Sequence, residues 1–140
     1  MIKLIAFDLD GTLTQHKTPL EPANLKALQE LSAKYKLVMA GAGACMRIFN
    51  QLGGFPIDII GNYGLQFGKY NTETKTLDIL ENHILPCDRK SVEERVNLCR
   101  EKYGFKDFAG DNVQYHESGC VTFPIIGTEA KIEDKLAFDP

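Results

Sequence analysis

Three short apolar runs, separated by two amphipathic helical patterns, restrict the front of this chain to one class of fold. Ile2 to Phe7 is apolar with β-branched members and is stopped by acidic residues and Gly11, so it reads as a buried strand. Pro22 suits a first helical turn, and Leu25, Leu28, Leu31 and Tyr35 follow at the spacing of one helix face. Lys36 to Met39 gives a second strand. The small-residue run AGAGA, Ala40 to Ala44, then turns into a helix marked by Ile48, Phe49 and Leu52 and stopped by Gly53 and Gly54. Ile57 to Ile60 is the third strand. The alternation predicts an α/β fold, with a Rossmann-like parallel sheet and right-handed crossovers. Ligands of such sheets bind beyond the carboxyl ends of the strands, which singles out the loops after Phe7, Met39 and Ile60.

The texture changes after Gly64. Leu65 to Tyr70 and Thr76 to Leu80, separated by polar NTETK, predict a β-hairpin. Ser91 and Glu94 form a capping box for a helix whose apolar stripe is Val92, Val96, Cys99 and Tyr103. Val113 to Tyr115 and Cys120 to Phe123 predict a second hairpin around Glu117-Ser118-Gly119, and the tail GTEAKIEDKLAFDP is polar with no clear terminus signal. Pro86 interrupts the stretch from Asn82 to Asp88. The expected division is therefore a core over 1–82 and an α+β lobe over 83–140.

The chain has 140 residues, 44% of them hydrophobic and 25% charged, which is ordinary globular composition. Sixteen basic against nineteen acidic residues leave a net charge of −3. Nucleic acid, which needs a basic excess, is a poor partner for it. No segment approaches the ~20 apolar residues of a membrane span, and the amino terminus meets two aspartates too early for a signal peptide. The four cysteines, Cys45, Cys87, Cys99 and Cys120, include no CxxC pair, so reduced thiols in the cytoplasm are expected rather than disulfides or zinc.

FDLDGTLT, Phe7 to Thr14, is the stretch that carries chemistry. It sets Asp8 and Asp10 at the carboxyl end of the first strand, with Gly11 opening the turn. Two carboxylates so close repel unless a cation or proton sits between them. Mg²⁺ is suited, since it takes oxygen ligands and is held by one or two carboxylates plus substrate phosphate. Asp8 is then positioned to attack phosphorus while Asp10 handles the leaving-group proton. Gly11 and Thr12 are expected to offer backbone N–H groups to the phosphate. The alternative is a pair of ordinary turn aspartates.

The string resembles the signature of the haloacid dehalogenase-like (HAD) superfamily, mostly Mg²⁺-dependent phosphotransferases. The resemblance implies that Asp8 is nucleophile and metal ligand, and that Asp10 is acid/base and supplies a metal-binding carbonyl. The runs RIFNQLGG, GNYGLQ, ENHIL and GCVTFPIIG are similar to the eukaryotic-type phosphomannomutase branch. That likeness implies a three-layer HAD core, incomplete here, with a partial α+β cap lobe inserted after the third core strand. It also implies a small phosphorylated metabolite as partner, and leaves open a homodimer through the cap.

Several positions depart from the branch. Where the family places a phosphate-holding Ser or Thr, this chain has Gly43, preceded by Gly41 and Ala42, so only backbone amides are on offer. Lys17, His116 and Thr128 align with arginines that grip phosphate in the mutases. Asn62 matches an asparagine beside the hinge, or is a plain turn residue. The family's later lysine and acidic motifs have no counterpart, because Gly110-Asp111-Asn112 follows no buried parallel strand. The chain therefore looks like the front portion of a longer protein. The expected activity is a sugar-phosphate phosphatase, with phosphomannomutase and a non-catalytic fragment as alternatives.

Overall fold

A computed structural model of the chain describes residues 2–15 and 18–138. They divide into two compact units, Met1–His83 and Ile84–Pro140.

The first unit is built on one five-stranded sheet in the order β1-β2-β3-β4-β5: β1 (Leu4–Asp8), β2 (Lys36–Ala40), β3 (Asp58–Gly61), β4 (Gln66–Asn71) and β5 (Thr76–Asn82). The first three strands are parallel, joined by α1 (Pro22–Ser32) and α2 (Cys45–Gln51). β2 lies between two parallel neighbours, and Leu37, Val38 and Met39 are all buried, as expected of a strand covered on both faces. Leu28 from α1, Ile48 and Phe49 from α2 and Leu52 just after it join Met39, Ile57 and Ile59 in a single apolar cluster.

The sheet is mixed, which the strand pattern did not reveal. The hairpin β4–β5 is an extension of the core sheet, because β4 pairs antiparallel to β3 from Gly61↔Gln66 to Ile59↔Gly68. The first strand also starts later than expected. Ile2 is exposed, whereas Asp8 is in register with Ala40 and so belongs to β1 despite its charge.

The second unit contains α3 (Arg89–Tyr103), a two-stranded ribbon of β6 (Gln114–Tyr115) and β7 (Val121–Thr122), and α4 (Ile132–Phe138). The cap of α3 is Asp88, whose carboxylate accepts the Ser91 amide at 3.3 Å, so the helix begins before the expected Ser91 cap. Its other end closes on Gly104 in the left-handed conformation. Arg100 is 5% exposed and donates to Asn112 Oδ1 and to the carbonyls of Phe105, Pro124 and Ile125. It lies over the rings of Phe108 and Phe123. One guanidinium thus ties α3 to the irregular segments on either side of the ribbon. The tail forms a helix where none was expected, with Glu133 and Asp134 in its first turn and Phe138 edge-on to Phe105. Among the described residues no helix is long and apolar enough to cross a membrane.

Candidate functional site

The turn after β1 winds around a single carbonyl. Leu9 is 1% exposed and anchored in the core, and its oxygen accepts the amides of Thr12, Leu13 and Thr14 at 3.2, 3.0 and 3.1 Å. Burying Leu9 sends its neighbours Asp8 and Asp10 the other way, since successive side chains alternate along an extended chain. Gly11, at φ +88°, closes the turn by donating to Thr14 O at 2.7 Å. Asn24 of α1 clamps the turn from outside through Leu13 O at 2.7 Å. This corrects one expectation: the Gly11 and Thr12 amides are not left free for phosphate, because both are spent inside the turn. Thr12 contributes its hydroxyl instead, donating to Asp8 Oδ2 at 3.0 Å. Asp8 itself is exposed.

Asp10 is held by α2. Gln51 Nε2 donates to Asp10 Oδ1 at 2.9 Å and to Thr14 Oγ1 at 3.1 Å, and Arg47 Nη2 reaches Asp10 Oδ2 at 3.3 Å. Arg47 and Gln51 are linked in turn by a 2.8 Å bond from Nη1 to Oε1. An ion pair this exposed adds ~1 kcal/mol or less to stability, so its main consequence is orientation of the carboxylate. Neither residue was singled out from the sequence. Their signal was the i,i+4 spacing beside Ile48 and Leu52, which reads as an ordinary polar helix face.

The loop after β2 lies beside the end of β3. Gly41 donates to Ile60 O at 2.9 Å, and Gly43 O accepts the Asn62 amide at 2.8 Å. A Cβ on Gly61 would lie 2.7 Å from Gly43 O and 2.8 Å from Cys45 N, so only glycine allows this approach. The amides of Ala42 and Gly43 donate to no described residue. Gly41, Ala42, Gly43 and Asn62 therefore do come together, with Gly41's amide occupied and the next two without a partner among the described residues. Asn62 and Tyr63 both have positive φ, at 50° and 55°, a left-handed pair that asparagine tolerates better than tyrosine. Burial pushes the nearby Cys45 thiol above its ordinary pKa, which makes it packing rather than a nucleophile.

Lys17 is outside the described residues. His116 belongs to the second unit, where Nε2 meets Thr122 Oγ1 at 2.9 Å across the ribbon turn. Thr128 is used to accept the Asp111 amide at 2.8 Å. Gly110-Asp111-Asn112 sits in irregular chain that follows no parallel strand, with Asn112 bound to Arg100 and Asn97.

Among the described residues no three His, Cys, Asp or Glu side chains gather into a metal cluster. A water-rich Mg²⁺ needs less than that, because one or two carboxylates and substrate oxygens suffice. Asp8, exposed and bonded through one oxygen to Thr12, fits that requirement. The Asp10 carboxylate is engaged by Arg47 and Gln51.

No family model and no curated protein matches the sequence. Solved structures do match. A phosphatase of the haloalkanoate (HAD) enzyme superfamily from Bacteroides thetaiotaomicron aligns at 18% identity over 99% of this chain and 53% of its own, with a TM-score of 0.52. A protein from Eubacterium rectale aligns at 18% identity over 79% of this chain and 43% of its own, with a TM-score of 0.50. The chain thus has the α/β fold of HAD-type phosphatases. It spans about half the length of those structures or less.

Proposed function

We propose that the protein carrying this chain is a Mg²⁺-dependent phosphatase acting on a small phosphomonoester, with a sugar phosphate as the expected class. The observation behind the proposal is the paired arrangement at the end of β1. Asp8 is exposed and held by Thr12, and Asp10, two residues on, is held by Gln51 and Arg47.

In the first step an Asp8 carboxylate oxygen bonds to phosphorus, the phosphorus–ester oxygen bond breaks, and the Asp10 carboxyl gives its proton to the departing alkoxide. In the second, Asp10 takes a proton from water, the water oxygen bonds to phosphorus, and the Asp8 carboxylate leaves with its electron pair. Gln51 and Arg47 keep Asp10 in place for both transfers. The Ala42 and Gly43 amides are the free donors for phosphoryl oxygens. Asp8 and the Asp10 carbonyl would hold the metal, which neutralises phosphoryl charge when bound.

A coupled assay on the intact protein with mannose and glucose phosphates, plus a bisphosphate activator, tests the reading. Free phosphate should form faster than isomerised sugar phosphate, because the residues aligned with the mutase arginines are Lys17, His116 and Thr128. Isomer outpacing phosphate would make the protein a mutase, and no turnover of any phosphomonoester would make it a binding protein.

A further inference from the structure

Gly43 is tight for a reason separate from its backbone. A Cβ built there would lie 2.2 Å from Arg47 Nη2, 2.3 Å from Nε and 2.6 Å from Cζ. The guanidinium therefore lies across the face of Gly43, in the space a side chain at this position would fill. It stands beside the loop whose Ala42 and Gly43 amides are free, and in contact with Asp10. Its bonds to Gln51 and Asp10 occupy two of five N–H donors, and its side chain is 39% exposed.

We propose that Arg47 is a phosphate-binding residue, its guanidinium supplying the side-chain donor to the phosphoryl group that Gly43 cannot. The inference rests on the phosphatase reading above and adds to it the cation that offsets two carboxylates when a phosphate dianion arrives. A phosphoryl group on the 41–43 loop would meet backbone N–H groups and a planar fork together, the combination that suits phosphate oxygens. Glycine at position 43 leaves the space in which the guanidinium lies, and a side chain there would displace it, so the two positions are coupled.

Isothermal titration of the intact protein with orthophosphate tests this without relying on turnover. Arg47→Ala should weaken binding by about 10- to 150-fold, the usual worth of hydrogen bonds to charged groups. Arg47→Lys should lose an intermediate amount, since a point charge remains but the fork is gone. Gly43→Ala adds a methyl where the guanidinium lies and should weaken binding with Arg47 still present. In the Arg47→Ala background it should add less than about two-fold, the non-additivity of a coupled pair. If Arg47→Ala does not fold, Arg47→Lys and Gly43→Ala carry the test alone. Orthophosphate affinity unchanged in the folded Arg47 and Gly43 variants overturns this proposal and leaves the phosphatase reading standing. No orthophosphate binding by the unaltered protein overturns both.

Discussion

Gly61→Ala is the substitution whose cost can be worked from the structure most directly. Gly61 has φ −114°, ordinary extended backbone, so alanine pays no conformational penalty and the whole effect is contact. The added methyl would sit 2.7 Å from Gly43 O, 2.8 Å from Cys45 N and 2.8 Å from Cys45 Sγ. Two of these are backbone atoms of the 43–45 segment, which cannot rotate away as a side chain would. Overpacking of this kind costs ~1–3 kcal/mol. The Asn62 N–H to Gly43 O bond, 2.8 Å here, stretches as the segments part, at ~1 kcal/mol more. Together the loss is about 2–4 kcal/mol. With a urea dependence of ~1–2 kcal/mol per molar for a small unit, the midpoint should fall by ~1–4 M. Hydrogen exchange of the Asn62 amide should accelerate more than that of amides in β1, which the substitution does not touch. A midpoint shift below ~0.3 M with unchanged Asn62 exchange would refute the reasoning.

In the second unit, Arg100→Met keeps an unbranched apolar stem but removes the guanidinium and orphans the carbonyls of Phe105, Pro124 and Ile125. It should destabilise by ~3–5 kcal/mol in denaturant titrations, and a loss under ~1 kcal/mol would show that water replaces the guanidinium. Cys45 should react with a thiol reagent at pH 8 far more slowly than exposed Cys99, because burial raises its pKa and leaves less thiolate. Equal labelling rates by mass spectrometry would contradict that.

The alternation of apolar runs and helical stripes made the parallel core legible, and FDLDGTLT placed the two aspartates before any geometry was known. Sheet membership was not legible. Nothing local distinguishes a separate hairpin from one whose first strand pairs with β3, since Gly61↔Gln66 is a contact across a turn of left-handed residues. The Ser91 capping box lost to Asp88 because a carboxylate three residues earlier reaches the same amide. The tail helix is only seven residues long, and its Ile132–Leu136 pair at helical spacing is too short a pattern to read as a stripe. Arg47 and Gln51 were missed for a different reason. Their meaning comes from Asp10, 37 and 41 residues away, and only the fold brings the three together.

The central claim is that Asp8 carries the phosphoryl group. Rapid quenching of the intact protein during turnover, followed by hydride reduction of the acyl phosphate and peptide mass spectrometry, tests it at the bond in question. Reduction should convert Asp8, and no other residue, to homoserine, and Asp8→Asn should abolish both that product and turnover. An unreduced Asp8 in an enzyme caught in turnover, or an Asp8→Asn variant with wild-type activity, would contradict the account.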